Sequence, residues 1–255
     1  LVVFGWLNTR RIKTRKIEIP LNKSAGPLES LHLAVASDIH LGQVIGRKFL
    51  KKLVHDINRL EPDLVLFPGD IVDEDLKPVI DKNLGKIFRD LNPRYGVFAV
   101  TGNHEYIGGA QLAVEHLSKF GISYLRDKTV KISESFYLCG REDVSIQTFA
   151  GKKRKPLKEL IRDADLQLPL IVMDHQPVAL NEAAENRVDF LVCGHTHHGQ
   201  IWPLNAITSR VFKVSRGYAR IGSTHVYVSS GAGTWGPRTR IGTRPEIISV
   251  KLIFT

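Results

Sequence analysis

The stretch LHLAVASDIH, residues 31–40, decides the fold class. Leu31 to Ser37 is a short apolar run that reads as a buried strand, and it ends directly on Asp38 and His40. The arrangement returns along the chain. Residues 63–67 form an apolar run before Gly69-Asp70-Ile71-Val72-Asp73, and residues 96–100 lead into Gly102-Asn103-His104-Glu105. Residues 168–173 end at Asp174-His175, and residues 190–193 run into Gly194-His195-Thr196-His197. Sites in open α/β sheets form outside the carboxyl ends of strands. Five strands that each end in metal-binding or proton-transferring residues therefore point to one site fed by all of them.

Between these strands the apolar period becomes helical. Residues 46–60 place Phe49, Leu50, Leu53, Val54, Ile57 and Leu60 on one face, and residues 78–91 repeat the pattern with Ile80, Leu84, Ile87, Phe88 and Leu91. A third helix is expected over 110–120, stopped by Gly121. Weaker strands follow at 123–125, 129–132 and 136–139, a short helix starts at Pro156, and another lies between the strands at 168–173 and 190–193. The last quarter reads as strands at 218–221, 225–228 and 247–254 with glycine-rich turns. This order predicts an α/β fold: two packed mixed β-sheets flanked by helices. It forms one domain over residues 28–255, after a basic N-terminal segment and linker over residues 1–27.

Composition narrows the class. Apolar residues make up 43% and charged residues 24% of 255, which excludes a fully disordered chain. Two cysteines exclude a disulfide framework and a Cys-only zinc site. No apolar run reaches the roughly 18 residues of a membrane-spanning helix. Lys and Arg number 36 against 26 Asp and Glu, a net charge of +10 that favours anionic partners: phosphorylated compounds, an acidic membrane surface or nucleic acid. Leu1 to Leu7 is apolar apart from Gly5, and Arg10, Arg11, Lys13, Arg15 and Lys16 follow. That junction reads either as the exit of a membrane segment or as a strand with a solvated basic face.

The spacing of the polar residues carries the chemistry. Residues i and i+2 of an extended chain project to one side, so Asp38 with His40, and His195 with His197, can each grip one ion. The glycines before Asp70, Asn103 and His195 permit sharp turns and close backbone approach. The donors are nitrogen and oxygen without thiolate, which suits Zn, Mn, Fe or Co. Asp38, His40, Asp70, Asn103, His175, His195 and His197 are more ligands than one ion uses. Two ions about 3.5–4 Å apart accommodate them if a carboxylate bridges. Such a pair stays positive, attracts phosphate and lowers the pKa of a bridging water, whose hydroxide attacks phosphorus in line.

The series Asp-x-His, Gly-Asp-x-x-Asp, Gly-Asn-His-Glu, a lone His and Gly-His-x-His, in this order over about residues 31–230, resembles the calcineurin-like metallophosphoesterase superfamily. The strings GHTHHGQIWP (194–203) and GTWGPRTRIGTRPEI (233–247) resemble its bacterial YkuE-like and YaeI-like branch. The resemblance implies a four-layer αββα sandwich. One ion would take Asp38, His40, Asp70 and His197, and the second Asp70, Asn103, His175 and His195, as Mn, Zn or Fe. His104 would protonate the leaving oxygen, with Asp73 orienting it. Asp174 stands where many relatives have Gly before the lone His.

Glu74 occupies the position of an Arg in the protein-phosphatase branch, which turns the expectation towards a phosphodiester or diphosphate in a small or lipid-linked substrate. A nuclease or phosphomonoesterase is the alternative activity. A non-catalytic interaction scaffold is the alternative class, since a retromer-coat subunit resembles the superfamily. Branch members often carry an N-terminal membrane segment or export signal, so the resemblance implies membrane association through a segment ahead of this chain.

Other residues are expected to be structural: His32, His55, His116, His225 and His198, and Cys139 and Cys193 as small buried apolar groups. Glu105 and Asp174 are candidates to hold a neighbouring ligand. The loop with Arg238, Arg240 and Arg244 suits either anion contact or solvent, Lys152–Lys155 reads as a solvated loop, and Trp202 and Trp235 line a pocket or the core.

Overall fold

The computed structural model describes residues 2–255. Its strands are β1 (Lys13–Leu21), β2 (Ser30–Val35), β3 (Leu64–Pro68), β4 (Val97–Val100), β5 (Ile122–Tyr124), β6 (Lys128–Ile132), β7 (Phe136–Gly140), β8 (Leu170–Met173), β9 (Phe190–Cys193), β10 (Gly217–Ile221), β11 (Thr224–Val228) and β12 (Glu246–Phe254). They form two six-stranded sheets, ordered β1-β12-β2-β3-β4-β5 and β10-β11-β9-β8-β7-β6. Both are mixed. β12 runs antiparallel to β2 within an otherwise parallel first sheet. The second has parallel β11, β9, β8 and β7 with antiparallel β10 and β6 at its edges.

Strand alternation builds four layers. Leu31, Leu33 and Val35 of β2 and Leu64 and Leu66 of β3 pack against Phe136, Leu138, Ile171, Met173, Phe190 and Val192 of the second sheet. Their neighbours Ala34, Val65 and Phe67 face the other way, onto Phe49, Leu50, Leu53, Val54 and Ile57 of the helix Arg47–Asn58. Leu170, Val172, Leu191 and Cys193 face outward onto Leu157, Leu180 and Ala183 of the helices Leu157–Leu160 and Leu180–Glu185. Strands covered on both faces must be apolar at every position, and β3, β8 and β9 are buried throughout. Each such side chain contributes about 1.5–3 kcal/mol by leaving water.

The structure differs from the expected elements at several places. Residues 13–21, assigned from sequence to the N-terminal segment, are the edge strand β1, paired with β12 over their whole length. Its basic residues point to solvent while Ile19 and Leu21 enter the core between the sheets. The apolar stretch before it is a short helix, Val2–Asn8, and Leu1 lies outside the described residues. No helix among the described residues is long and apolar enough to cross a membrane. The helix expected over 78–91 is broken into Lys77–Asp81 and a 3₁₀ turn Gly85–Asp90, because Asn83 is left-handed and Gly85 is pressed onto the Phe120 ring. A helix not expected from sequence, Leu204–Val211, interrupts the β-rich last quarter.

Candidate metal centre

The loops after β2, β3 and β4 meet those after β8 and β9, where the two sheets open into a cleft of about 410 Å³. Glycine sets how closely they meet. A Cβ on Gly194 would collide with Ser37 and Asp38, and one on Gly69, at φ +86°, would collide with the His175 ring. A bifurcated hydrogen bond closes the join: the His195 backbone N–H donates to both carboxylate oxygens of Asp38, at 2.9 and 3.1 Å.

Asp38, His40 and His197 form one ligand group. His40 Nε2 and His197 Nε2 are 3.0 Å apart, and His197 Nε2 is 3.4 Å from Asp38 Oδ1. Asp70, His175 and His195 form a second. Asn103 Oδ1 joins it, 3.1 Å from His175 Nε2 and 2.8 Å from His195 Nδ1. Asp70 Oδ2 stands between the groups, 3.1 Å from His175 Nε2 and 3.9 Å from His40 Nε2.

The pleat is not what aims these side chains. β2 ends at Val35 and β9 at Cys193, and Asp38, His40, Asp70, His195 and His197 all have positive φ, between 45° and 70°. Left-handed backbone is costly for residues with a Cβ, and it persists where surrounding contacts over-determine it. The i, i+2 expectation therefore fails for one pair: His195 and His197 turn into different groups, while Asp38 and His40 stay together.

The donor set suits a cation. The Pro68 carbonyl, 2.8 Å from His175 Nδ1, can only accept, so Nδ1 carries the proton and the neutral ring has its lone pair on Nε2. That lone pair faces Asp70 Oδ2 and Asn103 Oδ1, both acceptors. Burial opposes a charged ring, yet the Asp70 and Asp38 carboxylates hold the His175 pKa well above the usual value. The pocket thus demands positive charge at the point where the ligands converge. Burial, reinforced by the charge of His175, pushes His195 down to about 3, and burial with Arg240 pushes His197 down, so both rings stay neutral.

His104 and Asp73 lie beside the two groups. His104 Nδ1 is 2.9 Å from Asp73 Oδ1, which is also 3.5 Å from His40 Nδ1. The His104 ring packs edge-on against His40 and lines the cleft. Burial works against its charge, but the Asp73 hydrogen bond raises its pKa overall.

Three supports stand behind the ligands. Glu105 is buried, and its carboxylate accepts from the backbone N–H of Asp70, Val72 and Gly102 at 2.8–3.0 Å, tying two ligand loops together. Burial, then the Asp70 charge, raises its pKa to about 7. Asp174, also buried, takes Arg141 Nη1 at 3.3 Å and Arg154 Nη1 at 2.9 Å, so Arg154 turns inward from the Lys152–Lys155 loop expected to be solvated.

Arg240 contradicts both readings made for its loop. It is 0% exposed, donates to the carbonyls of Ser230, Gly231 and Gly233, and its Nη2 stands 2.9 Å from His197 Nδ1. Arg238 and Arg244 do not line the cleft. His32, His198 and His225 instead bond Ser249, Ser215 and Tyr218, His116 packs on Phe120, and both cysteines are buried and free.

The other wall of the cleft is apolar: Leu204, Ile207, Phe212 and Trp235. Sequence reasoning missed the helix that supplies it, although apolar residues at 204, 207 and 211 carry a helical period. Trp202 is exposed beside this wall and does not line it.

This fold and this cluster define a class, and the comparisons agree with it. The chain belongs to the calcineurin-like phosphoesterase family, which matches residues 31–199. It is 31% identical over 99% of its length to the "Transmembrane protein with metallophosphoesterase domain" of Danio rerio, of which it covers 60%. It is 29% identical over 99% of its length to an "Uncharacterized metallophosphoesterase" of Aquifex aeolicus, covering 96% of that protein, and 27% identical to YkuE of Bacillus subtilis over 95% of this chain and 86% of that one. The chain spans 60% of the length of its Helicobacter pylori and Danio rerio relatives. A solved 5'-nucleotidase precursor from Thermus thermophilus shares the fold, with a TM-score of 0.53 and 13% identity over 88% of this chain and 54% of that one.

Proposed function

We propose that the chain is a dinuclear phosphoesterase that hydrolyses a phosphodiester or diphosphate carrying an apolar organic group. The position of Asp70 Oδ2, within 4 Å of a histidine from each ligand group, carries this reading. Asp38, His40 and His197 would hold one ion and Asn103, His175 and His195 the other, with Asp70 shared. Two bound divalent ions supply Lewis acidity to a phosphoryl oxygen and acidify water.

The chain's own residues do the rest. Asp73 holds His104 through Nδ1, which leaves Nε2 to hand a proton to the leaving oxygen. The wall of Leu204, Ile207, Phe212 and Trp235 receives the organic group and excludes water. No lysine or arginine among the described residues lines the cleft, which speaks against a nuclease despite the net charge of +10. The intact ligand set and His104 speak against a scaffold.

The test is hydrolysis of bis(p-nitrophenyl) phosphate beside p-nitrophenyl phosphate, by protein stripped and then reloaded with Mn, Zn, Fe or Co. Diester cleavage that requires metal and disappears in Asp70→Asn is expected. His104→Ala should keep its metal content and lose about a hundredfold or more in kcat. A preference for the monoester, or one ion bound per chain at saturation, would refute the proposal.

A further inference from the structure

Tryptophan is usually highly buried. This chain has three, and all are exposed: Trp6 by 38%, Trp202 by 64% and Trp235 by 46%. They come from distant parts of the sequence and meet around one loop, residues 233–244. Gly5 of the first helix abuts Thr239 and Ile241, and Asn8 donates to the carbonyls of Arg240 and Thr243. Trp202 N–H donates to Ile241 O, and Gln200 ties Trp235 to the segment before helix Leu204–Val211.

Both helices beside this loop turn apolar side chains to water. Val3, Phe4 and Leu7 are exposed on the first, and Leu204, Ile207 and Val211 on the second. Arginines edge the same area. Arg10 and Arg11 follow the first helix, Arg10 lies over the Trp6 ring at 3.5 Å, and Arg238 and Arg244 rise from the loop. Arg10 and Arg238 share a second cleft with Arg47, Lys48 and Lys52.

Exposed apolar helices, interfacial tryptophan and basic residues together match the boundary of an anionic bilayer: acyl chains below, phosphate above. A second copy of the chain would bring the same arginines and be repelled. We infer that this face docks on anionic lipid bilayers, with Trp6, Trp202 and Trp235 at the headgroup level and the arginines on lipid phosphates. Leu204, Ile207 and Trp235 also line the metal cleft, so docking turns its mouth to the lipid surface. The substrate is then an amphiphilic phosphoester drawn from the bilayer. That last step rests on the proposed activity, whereas the docking does not.

The experiment measures binding without substrate. Chain and sucrose-loaded vesicles are sedimented together, using phosphatidylcholine alone or with about one third phosphatidylglycerol. Binding to the anionic vesicles is expected, about tenfold weaker on pure phosphatidylcholine and weakened by salt. Tryptophan emission should shift to the blue and be quenched by brominated acyl chains. Phe4→Ser combined with Val211→Ser should weaken binding about tenfold. Both side chains are exposed and outside the cleft, so metal-dependent hydrolysis of a water-soluble ester checks that the variant is folded. Unmoved emission, equal binding to neutral vesicles, unchanged binding by the variant, or a dimer that covers the tryptophans would each overturn the proposal.

Discussion

Glu105 does at the scale of one residue what a metal-ligand list omits. Its two oxygens accept three backbone N–H groups from the loops that carry Asp70 and Asn103, inside the core. Charge-assisted bonds of this kind are about twice as strong as neutral ones. Glu105→Gln puts an NH₂ against an N–H donor and leaves a buried donor unpaired. The variant is expected to lose about 2–3 kcal/mol of unfolding free energy and to release metal more readily than the parent. Urea denaturation with and without metal measures both effects. Unchanged stability would mean that the loops are held by something else.

The edge strand decides where the domain begins. β1 covers β12 over nine register pairs, and Arg15 reaches Glu246 at 3.5 Å. β12 in turn leads out of the loop that carries Arg240 and supports His197. A chain beginning at Leu28 would expose the β12 edge together with the apolar partners of Ile19 and Leu21. Such an edge invites pairing with other chains. The shortened chain is expected to melt about 10 °C or more lower, or to aggregate on purification. Equal melting temperatures would return residues 13–21 to the role of a dispensable segment.

At the scale of the whole molecule, the ligand groups draw on both sheets: Asp38, His40, Asp70 and Asn103 from the first, and His175, His195 and His197 from the second. Bound metal would therefore clamp the sandwich at its open end. A ligand that binds only the folded state stabilises it by mass action, about 4 kcal/mol at a thousandfold excess over Kd. Metal-loaded chain should melt several degrees above chelated chain, and Asp38→Asn should remove most of that difference. Calorimetry with and without chelator measures it, and coincident transitions would place metal outside the folded core.

The α/β class and the convergence of five strand ends were legible because buried strands must be apolar throughout and their last residues are free to be polar. Asp38, Asp70, Asn103, His175 and His195 announce themselves by type and position. Local pattern could not say which ion His195 and His197 serve, because left-handed backbone at both turns them apart, and only the loops packed on them hold such φ values. Nor could it reveal Arg240 as a buried support, since burial is decided by the carbonyls of Ser230, Gly231 and Gly233 closing round it. Whether the basic residues after the apolar start leave a membrane segment or form a strand with a solvated face stayed open, because half of an edge strand faces water and the partner of β1, β12, lies at the far end of the chain. Chemistry is carried by residue identity, which a sequence contains. Partnership between distant segments is settled by the packing free energy of the complete fold, and only the tertiary structure decided it.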